Sequence, residues 1–126
     1  MRLRVATDAD LSRLLFLTHG SCARVGLSRG QTIQVATAVS ELGHNIMKYA
    51  GSGFIQVRAL ADPVGVEIIA DDTGPGIENC DDALRDHFST GGTLGLGLPG
   101  VRRMMDSFEI DSRPGVGTRV AARKYL

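Results

Sequence analysis

Val35-Ala36-Thr37-Ala38-Val39-Ser40-Glu41-Leu42-Gly43-His44-Asn45-Ile46-Met47-Lys48-Tyr49 carries two helical stripes at once. Val35, Val39, Leu42, Ile46 and Tyr49 recur at intervals of four, three, four and three, which places them on one apolar face of an α-helix turned towards a core. Glu41, Asn45 and Lys48 follow the same spacing, about 100° around the helix from that row. Such residues are often merely solvated. As a set they suit a phosphate site: an amide oxygen can join the oxygen shell of Mg²⁺, an ammonium can neutralise phosphate, and a carboxylate can orient or deprotonate a nucleophile. Ser28-Arg29-Gly30-Gln31 has the spacing of a capping box and marks the start of this helix.

The second signal is Gly91-Gly92-Thr93-Leu94-Gly95-Leu96-Gly97-Leu98-Pro99-Gly100, in which five of ten residues are glycine. Glycine is costly to order, so a dense run implies backbone that adopts positive φ or is approached closely by a ligand. Pro99 fits the first turn of a helix through Val101, Met104 and Met105, ending around Asp106. A glycine run that opens a helix aims free N–H groups and a positive dipole end at one point, where an anion is favoured. The run lacks the Lys-Ser/Thr ending of a P-loop, and Leu94 and Leu98 distinguish it from a solvated linker.

Outward from these, Arg2-Leu3-Arg4-Val5-Ala6 alternates as a short strand, and Asp8 or Asp10 provides the cap of a helix through Leu11, Leu14, Leu15, Leu17 and Thr18 towards a stop at Gly26. Residues 53–60 and 64–70 alternate on either side of Asp62-Pro63 and predict an antiparallel hairpin covered by the two helices. The second strand runs into Asp71-Asp72-Thr73-Gly74-Pro75-Gly76, a tight turn in which Asp72 can accept a hydrogen bond from an exocyclic amine such as that of adenine. Asn79 or Asp81 starts a short helix through Leu84 and Arg85. Residues 108–112 and 118–122 read as two further strands joined by Arg113-Pro114-Gly115-Val116-Gly117. His19 reads as an ordinary helix side chain, and Arg102 and Arg103 as solvated or facing a phosphate or partner.

With 126 residues, one domain spanning 1–126 is expected. Its 14 basic and 14 acidic residues cancel, so no global field draws it to nucleic acid or to an anionic membrane. Cys22 and Cys80 are too far apart for a short-spaced metal pair and read as reduced thiols. The chain has no signal-like start and no apolar run near ~18 residues, which makes a soluble cytoplasmic protein the expectation.

Four separated motifs stand in an order that resembles one superfamily. Glu41-Leu42-Gly43-His44-Asn45 is similar to the N box, Asp72-Thr73-Gly74-Pro75-Gly76 to the G1 box, Gly95-Leu96-Gly97-Leu98 to the G2 box, and Gly115-Val116-Gly117-Thr118 to the final box of the gyrase, Hsp90, histidine-kinase and MutL (GHKL) ATP-binding proteins. Within it the whole chain resembles the short anti-sigma-factor serine/threonine kinases, and most of all the switch kinases of the bacterial stressosome. That likeness is carried by Ala38 to Leu42, Asn45-Ile46, Tyr49-Ala50-Gly51, Phe88-Ser89-Thr90 and Gly97 to Val101.

The resemblance implies a Bergerat ATP-binding fold: a two-layer α/β (α+β) sandwich with a mixed, mostly antiparallel sheet, helices on one face, and ATP between helices and a lid. It implies that Glu41 is the catalytic carboxylate, that Asn45 is a ligand of Mg²⁺, and that Asp72 receives the adenine amino group. It further implies that Thr118 assists at the adenine through water and that Gly74, Gly76, Gly95 and Gly97 shape the pocket. Lys48 matches a phosphate-contacting position of histidine kinases better than one of the switch kinases. The implied activity is phosphorylation of a STAS-domain antagonist in a partner-switching stress response, with a PP2C-type phosphatase or a sigma factor as a further partner. A second reading is an ATP-gated binding module, an anti-sigma factor or phosphatase activator with slow or absent transfer. A detached histidine-kinase catalytic domain is disfavoured, because no His-Asp or His-Glu acceptor motif is present and the interval from Gly76 to Gly95 leaves little room for a long lid.

Overall fold

A computed structural model describes residues 1–76 and 97–126. The chain begins with β1 (Arg2–Val5), followed by α1 (Asp8–Val25) and α2 (Arg29–Tyr49). Then come β2 (Gly53–Ala61), β3 (Val64–Asp72), α3 (Gly97–Met104), β4 (Ser107–Arg113) and β5 (Gly117–Tyr125). The expected short helix near Asp81, Cys80, the Phe88-Ser89-Thr90 segment and Gly95 lie outside the described residues.

The helix boundaries follow from local hydrogen bonding. At α1 the cap is Thr7 rather than Asp8 or Asp10: the Thr7 hydroxyl accepts from the Asp10 N–H, and the Asp10 carboxylate accepts from the N–H groups of Thr7 and Ala6. Those backbone bonds, led by the one from Ala6, hold the Asp10 carboxyl below its usual pKa. Gly26 ends the helix in the left-handed region, as expected. At α2 the Ser28 and Gln31 capping box forms in both directions.

Val35, Val39, Leu42 and Ile46 are buried as their stripe predicts, but Tyr49 is half exposed. Tyr49 is the last helical residue, and the chain turns away through Ala50 and Gly51, so its ring lies beneath the Lys48 ammonium at 5.1 Å instead of over the sheet. α3 stops at Met104, two residues before the expected end. Asp106 is captured by the sheet: its N–H donates to the Arg123 carbonyl and its carboxylate accepts from the Tyr125 N–H.

The strands form one sheet in the order β1-β2-β3-β5-β4, antiparallel at each described pairing, a narrower arrangement than the mixed sheet expected. β5 is inserted between β3 and β4, so the β2–β3 and β4–β5 hairpins join through β3 and β5. One face carries Val5, Ile55, Val57, Val66, Ile68, Ala70, Val120 and Ala122, all buried, and the described helices cover it. On the opposite face Glu67 is only 3 % exposed, because Arg58 on β2 and Arg123 on β5 donate to its two oxygens at 2.6 and 2.7 Å. Arg123 continues the ladder to Glu109 at 3.1 Å, and its hydrogen bonds to Glu109 and Glu67 raise its already high pKa. A two-layer sandwich results, with its helices on one side.

Candidate nucleotide-binding site

Alternation along the strands brings three polar side chains to the same end of the helix-covered face. Along β3 the inward row is Val66, Ile68, Ala70 and Asp72; along β5 it is Ala122, Val120 and Thr118; along β4 it is Phe108, Ile110 and Ser112. The register pairs Asp72 with Thr118 and Thr118 with Ser112, so the apolar face ends in a row of a carboxylate and two hydroxyls across adjacent strands. All three are half-buried. Asp72 Oδ1 accepts from the Gly74 N–H at 2.9 Å, which fixes the carboxylate while leaving it acceptor capacity for a ligand. Ser112 Oγ and Thr118 Oγ1 stand 2.7 Å apart.

The glycines around this row are sterically required. A side chain on Gly117, whose φ is +145°, would place its Cβ 2.1 Å from the Asp72 carbonyl oxygen. One on Gly76 (φ +78°) would lie 2.3 Å from the Arg113 carbonyl oxygen, and one on Gly74 would lie 2.6 Å from the Ala50 Cβ. Pro75 and Gly115 lock the two turns together, the Gly115 N–H donating to the Pro75 carbonyl at 2.7 Å. The turn after β3, the β4–β5 turn and the C-terminal end of α2 therefore meet at the Asp72 end of the sheet.

α2 connects this end to the start of α3. Glu41 and Asn45 are half-buried on its edge, whereas Lys48 is exposed. Glu41 Oε2 accepts from the Gly97 N–H at 3.2 Å, a carboxylate on the positive end of the helix that begins there. The far end of α3 is closed by Lys124, whose ammonium, nearly buried, donates to the Met104 carbonyl at 2.8 Å. At 1.5 Å per residue, Glu41 and Ala50 are about 13 Å apart along α2, with Asn45 about 6 Å from Glu41. The structure thus brings Asp72, Gly74, Gly76 and Thr118 together at one end of that edge and Glu41 and Gly97 at the other. Asn45 lies between them, and Lys48, exposed, stands about 4.5 Å further along α2 towards the Asp72 end.

The donor set fits Mg²⁺ held in part by a nucleotide. Among the described residues no group of three or more His, Cys, Asp or Glu could hold a metal ion, so no all-protein cage is present there. Mg²⁺ commonly keeps several waters and binds through one or two protein carboxylates together with substrate phosphates; Asn45 would offer an amide oxygen in place of a carboxylate. Ser112 was missed at the sequence level, where it read as the end of a strand; counting the inward row Phe108, Ile110, Ser112 would have found it. Arg102 and Arg103 are exposed on α3, and His19 is exposed on α1. A groove of about 480 Å³ between Met1, Phe16, Leu17, His19, Gly20 and Arg24 includes none of the site residues.

Comparison with known proteins identifies the family and the fold. Residues 5–124 match the model of the histidine kinase-like ATPase domain. The chain is 40% identical over 126 residues to the serine/threonine-protein kinase RsbT of Bacillus subtilis, covering 98% of this chain and 95% of that one. It is 35% identical over 100 residues to an anti-sigma F factor of Caldanaerobacter subterraneus, covering 73% of this chain and 68% of that protein. The fold recurs in the SiaB-SiaC complex of Pseudomonas aeruginosa with a TM-score of 0.66 at 11% identity, covering all of this chain and 89% of that one. It recurs also in the mycobacterial sensor histidine kinase MprB, with a TM-score of 0.56 at 17% identity and coverage of 100% and 99%. This chain belongs to the histidine kinase-like ATPase family, among its protein serine/threonine kinases.

Proposed function

We propose that the protein transfers the γ-phosphoryl group of Mg·ATP to a serine or threonine hydroxyl of a STAS-domain antagonist in the cytoplasm. In this reading the modified antagonist leaves and the kinase is freed for a PP2C-type phosphatase or a sigma factor. The observation that carries the proposal is the edge of α2, which runs from a carboxylate on the Gly97 N–H to the Asp72 and Thr118 row. A nucleotide lying along it has its base at one end and its phosphates at the other.

Each residue has a role that its position supports. Asp72 accepts from the adenine amine, Thr118 contacts the base through water, and Gly74 and Gly76 let the turn after β3 close against Ala50 and the Arg113 carbonyl so that Asp72 is held in place. The start of α3 brings its positive dipole end to the phosphate side of the edge, where the Gly97 N–H donates to Glu41. Asn45 would hold Mg²⁺, which neutralises charge on the transferred group when bound. Glu41 receives the proton of the acceptor hydroxyl as its oxygen bonds to the γ-phosphorus and the bond to the leaving ADP oxygen breaks. Lys48, exposed on the side of Asn45 nearer the Asp72 end, enters the proposal as a phosphate contact through its motif and not through its place along α2. Gly95 belongs to the same proposal through its motif.

A second reading, an ATP-gated binding module with slow transfer, draws support from the likeness to anti-sigma F factors. Incubation with labelled ATP, Mg²⁺ and candidate STAS proteins, followed by mapping of the labelled residue, separates the two. The kinase reading expects one labelled serine or threonine, no label with Asn45→Ala, and slowed labelling with intact nucleotide binding for Glu41→Ala. Stoichiometric ATP-dependent complex formation with no label would favour the binding module.

A further inference from the structure

The edge of the sheet opposite β4 is formed by β1, which among the described residues pairs with β2 alone. The Val57 N–H donates to the Met1 carbonyl at 2.9 Å, so in this antiparallel ladder Met1, Leu3 and Val5 exchange backbone bonds with β2, and the N–H and C=O groups of Arg2 and Arg4 point away from it. The side chains of Arg2 and Arg4 are exposed on the open face of the sheet, where Arg2 covers the Phe54 ring at 4.0 Å, and neither forms an ion pair among the described residues. Met1 and Leu3 turn to the helix side, where Met1 lines the groove of about 480 Å³ against Phe16, Leu17 and Gly20 of α1. Phe16 is 78 % exposed, the most of the large apolar side chains described. We propose that this edge accepts an extended segment of a partner protein as a further antiparallel strand, with acidic residues opposite Arg2 and Arg4 and apolar residues alternating towards the groove. The proposal goes beyond the nucleotide reading and does not rest on it.

The register disfavours the simplest occupant, a second copy of β1. Antiparallel edge bonding joins residues whose backbone groups face each other, and on β1 those are Arg2 and Arg4. Every bonded self-pairing therefore sets arginine directly opposite arginine, whether Arg2 meets Arg4 or each meets its own copy, and like charges so placed are destabilising. Two arginines on a short edge protect it against self-association, and the same two attract the opposite sign. A strand reading apolar, acidic, apolar, acidic, apolar places its acids opposite Arg4 and Arg2, and its apolar residues opposite Val5, Leu3 and Met1 on the helix side. Main-chain bonds to Arg2 and Arg4 supply affinity, the two charge pairs select the sign, and burial beside Phe16 selects apolar side chains at the alternate positions.

The test is fluorescence anisotropy of a dye-labelled, end-blocked peptide, Ser-Val-Glu-Val-Glu-Val-Ser, titrated with the full chain. Two N-methylated forms read the strand geometry without altering the protein. Methyl groups on the two glutamate nitrogens, which face β1, should weaken binding at least about tenfold, whereas methyl groups on the second and third valine nitrogens, which point away, should leave it within about twofold. Arg2→Glu combined with Arg4→Glu should weaken the peptide at least about tenfold and bind the analogue with lysine for glutamate in its place, because the sign of the edge is reversed. Phe16→Ala should weaken the wild-type pairing by about three- to tenfold, with unfolding temperature as a check on folding. Should the double variant not fold, the two methylated peptides decide alone. No binding to the wild type up to about 1 mM, equal losses for the two methylated forms, or a folded double variant that still prefers glutamate would overturn the proposal. A dimer in sedimentation that dissociates on Phe16→Ala would also overturn it, by giving this face to a second copy.

Discussion

Two glycines two residues apart in the β4–β5 turn allow the close approach at the site to be isolated from backbone strain. Gly115 and Gly117 both have positive φ, +76° and +145°, so alanine at either forces an L-residue into backbone it rarely adopts. At Gly115 an added Cβ meets nothing within 4 Å, and the expected cost is the conformational one alone, about 1–2 kcal/mol. At Gly117 the same Cβ falls 2.1 Å from the Asp72 carbonyl oxygen and 3.0 Å from the Thr73 Cα, both backbone atoms that cannot rotate away. Relief needs β5 to move off β3 by about 1 Å, an overpacking cost of about 1–3 kcal/mol on top of the strain. Gly117→Ala should therefore lose about 2–5 kcal/mol in urea unfolding, a large share of the ~5–15 kcal/mol that holds a domain folded. Because Asp72 and Thr118 pair across this contact, the same shift should weaken ATP at least about tenfold in the fraction still folded, while Gly115→Ala leaves ATP within about twofold. Equal stability and equal ATP affinity for the two variants would refute the reasoning, since it would mean that β5 does not press on the Asp72 backbone.

Other expectations test single features. Glu67→Ala leaves Arg58 and Arg123 facing each other; because Arg58 is more than half exposed, the loss is discounted to about 1–3 kcal/mol in urea unfolding, and no loss would show the ladder to be ornamental. The Asp10 carboxyl is held below its ordinary value by the Ala6 and Thr7 backbone, so its contribution is present in full above its unfolded pKa of about 4 and is lost as pH falls through the folded one. The stability gap between wild type and Asp10→Asn should therefore narrow as pH falls below the unfolded value of about 4, and a gap independent of pH would contradict the capping role. Burial raises the Cys22 thiol pKa, partly countered by Thr32, so in a Cys80→Ser background alkylation should proceed only as fast as the protein opens; rapid labelling of the native state would place Cys22 outside the core.

What the sequence revealed was local. The Ser28 capping box, the buried row from Val35 to Ile46, the β2–β3 hairpin and the final pair of strands follow from spacings of two to four residues, and each is found where expected. Thr7 was overshadowed by its two aspartates, although Thr7 and Asp10 have the spacing of a capping box. The insertion of β5 between β3 and β4 was not legible, because pairing Asp72 with Thr118 depends on closure of a long loop and not on any neighbouring residue. Tyr49 fits its stripe but outruns the packing surface, and the Asp106 end of α3 is decided by hydrogen bonds to β5 that no helical pattern records. For the site, the motifs placed Glu41, Asn45, Asp72 and Thr118 in order along the chain. Ser112 needed the register, because only cross-strand neighbours show that its hydroxyl meets Thr118.

The central claim is that the edge of α2 and the Asp72 row bind one molecule of Mg·ATP from its two ends. Titration of ATP with and without Mg²⁺ into the wild type, Asp72→Asn and Asn45→Ala tests it most directly. The account predicts one site per chain, weakened by Asp72→Asn at least about tenfold in either condition and by Asn45→Ala only when Mg²⁺ is present. A folded wild type that ignores ATP, or two variants that bind it as the wild type does irrespective of Mg²⁺, would contradict it.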